Sequence, residues 1–358
     1  MNLLLFLLGL GALLAGAELV VRGASRLALA FGVSPLVVGL TIVAFGTSAP
    51  EIAIAVGAAL KGSADLAVGN VVGSNIFNVL FILGLSALIA PLVVHLQIIR
   101  QEVPFMIGAS LVVAVMALDG VLGLWDATLL FGLLLAYVFY LIRQSRAEPQ
   151  ETAAEFERGM PHGGWDTKRP VQLLMVVAGV ALLVLGSRWL VASATAFAQA
   201  IGVSDLVIGL TIVAAGTSMP EVATSVMAAV RGERDIAVGN VIGSNIFNLL
   251  GCLGLAGLAA GGDLLIAPAV LRFDLWVMVA VALACLPVFM TGFRIGRWEG
   301  AVFLGYYVAY TVYLILAAQQ HDALEAFSNV MLGFVVPITI ITLMVLMLRW
   351  MNRDRPDA

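Results

Sequence analysis

Apolar residues run in long stretches along this chain, and polar residues fall in narrow bands between them. A helix needs about 20 mainly apolar residues to cross a bilayer. On that rule the stretches near 2–22, 34–60, 65–90, 100–118, 122–142, 171–193, 204–230, 236–260, 273–292, 299–318 and 327–349 predict eleven spanning helices. The first 21 residues lack a basic start, and their apolar pattern continues beyond them, so they read as a retained first helix rather than a cleaved signal. The polar bands are short, with one exception. Residues 143–169 (RQSRAEPQETAAEFERGMPHGGWDTKR) are mixed in charge and carry Pro and Gly, the pattern of a linker. The expected organisation is a first half over 1–143, a linker over 144–169, a second half over 170–318, and an additional helix with a tail over 319–358.

Composition agrees with that reading. The chain is 62% hydrophobic and 11% charged, against about 25% charged for an ordinary soluble domain. The expected class is an all-α polytopic membrane protein. Cys252 and Cys285 both sit inside apolar runs, which argues against a disulfide framework or a cysteine-rich metal site. Lys and Arg collect on the cytoplasmic side of membrane proteins. With the N-terminus outside, fifteen of them face inward (Arg22, Arg26, Arg100, Arg143, Arg146, Arg158, Lys168, Arg169, Arg231, Arg234, Arg294, Arg297, Arg349, Arg353 and Arg355) and three face outward (Lys61, Arg188 and Arg272). This bias puts the linker and the C-terminus in the cytoplasm.

The polar residues inside the apolar stretches repeat. Residues 32–80 recur at 202–250 without a gap, each position mapping to its partner by adding 170, and 34 of the 49 positions are identical. Thr41, Thr47, Ser48, Glu51, Asn70, Ser74, Asn75 and Asn78 reappear as Thr211, Thr217, Ser218, Glu221, Asn240, Ser244, Asn245 and Asn248. Five spans precede the linker. Five is odd, so the second copy enters the membrane from the opposite face. The halves are therefore inverted, an arrangement that characterises secondary transporters with a site near the midplane.

In each copy, Gly-Thr-Ser-x-Pro-Glu interrupts an apolar span. Pro50 has no N–H, and its ring crowds the carbonyl of Gly46, so the helix should break and free carbonyls around Ala44 to Gly46. The same break is expected before Glu221. Residues four apart share a helix face, which pairs Thr47 with Glu51, Ser74 with Asn78, Thr217 with Glu221, and Ser244 with Asn248. If these four helices meet, they assemble carboxylates, hydroxyls, amides and carbonyls. All are oxygen donors of the kind that hard cations such as Ca²⁺ take. None of His95, His162 and His321 lies in the repeat, and the thiolate and imidazole donors that softer metals favour are missing from it.

Each residue also has a plainer reading. A single Ser or Thr in a membrane helix commonly bonds its own backbone, and small residues such as Gly73 and Ser74 allow close helix packing. Glu51 and Glu221 have no such alternative, because an ionisable group at mid-membrane is expensive and functional by default. Glu18 reads as an i,i+4 partner of Arg22 or as an interface anchor.

GTSAPE with GNVVGSNIFN, and GTSMPE with GNVIGSNIFN, resemble the paired α-repeats of the sodium/calcium exchanger family, within the cation/calcium antiporter superfamily. The likeness extends over roughly 1–318 and includes the first helix of each half. It implies ten helices in two inverted five-helix halves, with an eleventh helix added here. It implies a cation site of Glu51 and Glu221 with Thr47, Ser48, Ser74 and Asn78 from the first repeat. Thr217, Ser218, Ser244 and Asn248 come from the second, with the carbonyls of Ala44 and Ala214. It further implies transported Ca²⁺ and Na⁺ in place of any cofactor, and access that alternates as the first and sixth spans slide past the site. Some family members carry Asp where this chain has Asn248. Proton/calcium exchangers resemble GNxxE where this chain has Gly73 and Gly243, which favours Na⁺ over H⁺ as the driving ion, with an H⁺- or K⁺-coupled exchange as the alternative.

Other classes fit less well. Channel filters are usually built by subunit symmetry about one axis, whereas inverted repeats in one chain suit alternating access. No HExxH, GxSxG or P-loop pattern suggests an enzyme. Nothing in the sequence calls for nucleic acid or an obligatory protein partner; the expected partners are the two ions and the lipid bilayer.

Overall fold

A computed structural model describes residues 2–145, 168–261 and 263–353. The expected linker therefore lies almost wholly outside the described residues. The helices are α1 (Asn2–Phe31), α2 (Pro35–Thr47), α3 (Ala49–Leu60), α4 (Ala64–Ile89), α5 (Ile98–Asp119) and α6 (Leu124–Gln144) in the first half. The second half has α7 (Arg169–Ala200), α8 (205–217), α9 (Met219–Arg231), α10 (Arg234–Ala260), α11 (Val270–Met290) and α12 (Arg297–Ala318). A last helix, α13, spans Ala323–Leu348 and continues to Arg353.

Among the described residues nine helices are long and apolar enough to cross a membrane, and α2 with α3, bent by 46°, makes a tenth. The remaining expected span, over 204–230, is the α8–α9 pair, which falls outside that count. The first and sixth spans are longer than the apolar stretches suggested, reaching Phe31 and Ala200. At 1.5 Å per residue each is about 45 Å or more, longer than a hydrocarbon core of about 30 Å.

Local chemistry writes the same punctuation twice. Gly32 (φ +65°) and Gly202 (φ +83°) end the long helices in the left-handed region that glycine occupies without strain. Ser34 and Ser204 then each accept a bond from the backbone N–H three residues on, at 3.4 Å, and start α2 and α8. Wide turns with i→i+5 bonding recur in matched pairs: Gly39–Val43 with Gly209–Val213, and Asn78–Leu83 with Phe247–Cys252. Such turns frequently mark functional sites in helices.

The halves interlock. Helices α1 and α7 run antiparallel in near backbone contact. A Cβ on Gly16 would lie 2.8 Å from Gly179 O, and one on Gly186 would lie 2.7 Å from Gly9 O. Across the molecule, α4 packs on α12 (a Cβ on Gly300 would meet Gly84 O at 2.6 Å) and α10 packs on α6 (a Cβ on Gly254 would meet Phe131 N at 2.9 Å). Two short antiparallel ladders tie opposite halves together. Strand β1 (Leu92–Val93) pairs with β4 (Arg294–Ile295), and β2 (Val121–Leu122) pairs with β3 (Leu264–Leu265). The first ladder lies on the side where α1 ends, the Phe31 side, and the second on the side where it starts, the Asn2 side. That is the placement an inverted pair of five-span halves requires.

Helices α4 and α10 form the buried centre. Helix α13 lies at the edge with an exposed apolar surface that includes Leu332, Phe334 and Ile341. Tyr306 of α12 meets it, 2.5 Å from Thr339 Oγ1.

Candidate cation site

The helix breaks fall at Ser48 (φ −78°, ψ 3°) and Ser218 (φ −88°, ψ 12°), one residue after the threonines. This is slightly later than expected. Ala44 O still accepts the Ser48 N–H at 3.0 Å, so that carbonyl is not freed by the break. Pro50 is tolerated because it falls in the first turn of α3, where an N–H has no helical partner in any case. In the second copy, Gly216 O receives Ser187 Oγ of α7 at 2.5 Å.

These breaks aim two serines across the pseudo-two-fold axis. Ser218 Oγ donates to Glu51 Oε1 at 2.8 Å, and Ser48 Oγ donates to Glu221 Oε1 at 3.3 Å. Each repeat thus supplies the hydroxyl that holds the other repeat's carboxylate. Ser218 Oγ also lies 3.3 Å from Ser74 Oγ. Around them, Thr47, Ser48, Glu51, Ser74, Asn78, Ser218, Glu221, Ser244 and Asn248 are all buried, as is Ala44. Ala214 and Thr217 differ from their counterparts: Ala214 is exposed and Thr217 is only partly covered.

The polar balance of this cluster is incomplete without a cation. Glu51 Oε2, Glu221 Oε2, Asn78 Oδ1 and Ser244 Oγ are buried with no hydrogen-bond partner among the described residues. A hydrogen bond to a charged group contributes about 1.5–3 kcal/mol. Burying a carboxylate costs several kcal/mol, so one serine apiece does not offset it. Oxygens left over in this way, two of them from carboxylates, match the donor set of a hard cation. Among the described residues no group of three or more His, Cys, Asp or Glu is placed to hold a metal ion, so the paired glutamates stand out by their burial rather than by their number.

A second layer of amides, which sequence reasoning did not assign to the site, holds this one. Thr47 Oγ1 donates to Asn240 Oδ1 at 3.1 Å, Asn240 Nδ2 to Ser225 Oγ at 2.9 Å, and Asn78 Nδ2 to Asn245 Oδ1 at 3.0 Å. Repetition had already marked Asn240 and Asn245. Ser225 faces Ala55 in the repeat and carried no such signal. Cys252 Sγ sits 3.5 Å from Asn248 Oδ1. Two further contacts involve residues outside the expected site. Glu18 pairs with Arg231 at the end of α9, because the long α1 lies along that helix. His95, outside the repeat, lies 3.3 Å from Asp235 inside it, at the Phe31 surface.

Comparison with known proteins decides the lineage. The sequence profile of the family described as sodium/calcium exchanger protein matches residues 1–143 and 171–316. The chain belongs to the sodium/calcium exchanger family. This is a family of exchangers, which are transporters. Among its relatives, the sodium/calcium exchanger MaX1 of Methanosarcina acetivorans is 36% identical over 87% of this chain and 98% of its own length. The inner membrane protein YrbG of Escherichia coli is 36% identical over 78% of this chain and 86% of its own. A structure of the sodium–calcium exchanger NCX_Mj, soaked with Na⁺ and Sr²⁺, superposes with a TM-score of 0.73 at 31% identity. The match covers 88% of this chain and 97% of that one.

Proposed function

We propose that this exchanger moves Ca²⁺ against Na⁺ at a single midplane site built on Glu51 and Glu221. The observation that carries this is the reciprocal crossing of Ser48 onto Glu221 and Ser218 onto Glu51, with one oxygen of each carboxylate left unpartnered in the interior. Ca²⁺ neutralises the two carboxylates. The rest of a shell of about six to eight oxygens is drawn from the hydroxyls of Thr47, Ser48, Ser74, Thr217, Ser218 and Ser244, the amide oxygens of Asn78 and Asn248, and the carbonyls of Ala44 and Ala214. Na⁺ takes the same oxygens in its place. Competition for one set of ligands, with access alternating between the two sides, makes transport of one ion depend on return of the other.

The halves 1–143 and 170–318 act as the two inverted units, joined by a cytoplasmic linker. Residues 319–358 stand outside the exchange machinery. The Lys and Arg asymmetry supports an external N-terminus and a cytoplasmic C-terminus in the cell membrane, and likeness to an inner membrane protein supports the same compartment.

The test is ⁴⁵Ca²⁺ uptake by proteoliposomes loaded with Na⁺ and diluted into Na⁺-free buffer. Uptake should need the outward Na⁺ gradient and stop when it is collapsed. Uptake that ignores Na⁺ and follows an imposed proton or K⁺ gradient would overturn the sodium assignment.

A further inference from the structure

The two repeats hold their matching helices in different states. Helix α2 is pressed onto α10: a Cβ on Gly39 would lie 3.1 Å from Ile236 Cα, and one on Gly243 would lie 2.7 Å from Leu40 O. The counterpart contact, α8 on α4, is made only at the end of α8, over Ala214–Thr217. Gly209 and Gly73 meet nothing within 4 Å, and Gly69 meets only Val270 Cγ2 at 3.9 Å. Thr47 bonds Asn240, while Asn70, the counterpart of Asn240, leaves its Nδ2 without a partner among the described residues. Helix α1 packs along α9, and α7 makes no comparable contact with α3. The packing beside the site is thus closed on the Phe31 side and looser on the Asn2 side, where Ala214 is exposed and Thr217 is only partly covered. Exchanging the roles of the repeats describes the other state: α8 seats on α4 through Gly209, Gly69 and Gly73, and α7 moves along α3.

The rims of these two closures carry opposite electrostatics. On the Phe31 side, Glu18 of α1 bonds Arg231 at the end of α9. The shift of 170 converts Glu18 into Arg188 and Arg231 into Lys61. Closing the Asn2 side therefore brings two cations together where closing the Phe31 side joins an ion pair. Neighbouring charges do not reverse this. Arg22, Arg26, Glu233, Arg234 and Asp235 face the closed rim from α1 and the α9–α10 junction, with His95 held by Asp235. Their counterparts are Ala192, Ala196, Ser63, Ala64 and Asp65. Asp65 stands four residues beyond Lys61, as Asp235 does beyond Arg231, and Asp235 pairs with His95 while Arg231 bonds Glu18 and has Glu233 as a second acidic neighbour.

We propose that Glu18 and Arg231 form an ionic latch, and Arg188 and Lys61 an opposing like-charge pair. Together they make the ion-free carrier rest closed on the Phe31 side and open on the Asn2 side. The repeat that builds the site is symmetric, and these four residues give the transport cycle a preferred resting state. The proposal rests on alternating access by exchange of the two repeat conformations. The experiment below tests that premise separately.

Spin labels on cysteines at Ile201 and Leu66, both exposed near the Asn2 rim, report the approach of α7 and α8 to α4. The full chain is measured in lipid nanodiscs, with and without Na⁺ or Ca²⁺. The ion-free protein should populate mainly the long distance. Lys61→Glu turns the repulsive pair into an attractive one and should raise the short-distance population about threefold, the scale of an exposed ion pair. Glu18→Gln should shift it the same way by releasing the latch, and Glu18→Arg combined with Arg231→Glu should restore the original distribution. Both shifts should shrink at high salt, because exposed charges are screened. A single distance unmoved by ions or by any variant overturns the alternating motion itself. Two distances whose ratio ignores the charge changes, or a swapped pair that fails to restore the ratio, overturns the latch alone.

Discussion

Glu51 and Glu221 supply the only carboxylates in the buried cluster, so each carries half of the charge that a divalent cation must meet. Glu51→Gln and Glu221→Gln keep the side-chain shape and remove that charge. The loss is that of breaking a buried pair, about 3 kcal/mol or more, which predicts Ca²⁺ exchange lowered by at least about 100-fold. Flux per reconstituted molecule, at matched membrane abundance, checks it. The serines act one step further out. Ser218→Ala removes a 2.8 Å hydroxyl bond to Glu51 and a ligand oxygen together. It should raise the Ca²⁺ concentration for half-maximal exchange by about tenfold, since a bond to a charged group contributes about 1.5–3 kcal/mol. Asn240→Ala touches no ion in this arrangement. It removes the partner of Thr47 on α10, leaving the longer bond to Ala44 O, and should weaken exchange less than Ser218→Ala does.

Among the elements, the glycines divide by whether their contact is made. A Cβ on Gly179 would sit 2.7 Å from Val20 Cγ2 and 2.8 Å from Gly16 O. Gly179→Val therefore forces α1 and α7 apart, and overpacking of this kind costs about 1–3 kcal/mol. The expected result is a lower unfolding temperature in detergent, measured by scanning fluorimetry. Gly73→Ala meets nothing in the present state and should leave that temperature unchanged. The wide turn that starts at Asn78, and its counterpart from Phe247, matter for a different reason. Each adds a residue to one turn and rotates the rest of its helix, which is how Asn78 faces Asn245 while the following turns still pack on α12 and α6.

For the whole molecule, charge and sidedness are the testable properties. With both glutamates ionised, one Ca²⁺ leaves the site neutral and a third Na⁺ would leave it positive. Three-for-one exchange then moves one net positive charge out of the vesicle for each Ca²⁺ taken up, so uptake at clamped potential should rise as the vesicle interior is made positive. Sidedness follows from the basic residues. Cysteines placed in the linker over 144–168 should resist impermeant thiol reagents in intact cells and react after lysis. The ladders β1–β4 and β2–β3 require only that the halves be inverted; which side faces the cytoplasm is set by the charges.

The sequence by itself determined whatever repetition and solvent could encode. Long apolar stretches admit little but spanning helices, since backbone polar groups must pair internally in lipid. An odd number of spans per copy forces inversion. Glu51, Glu221 and their polar neighbours were legible because a buried charge has no neutral explanation and here it occurs twice. What only the tertiary structure decided involves contacts between residues distant in sequence, or the difference between equal sequences. Glu18 bonding Arg231 depends on α1 lying along α9. Ser225 and Cys252 entered the second layer without a repeat partner to announce them. Ala44 and Ala214 stand at matching positions, yet one is buried and the other exposed. No local rule distinguishes them, because the difference lies in which of two packings the helices have taken.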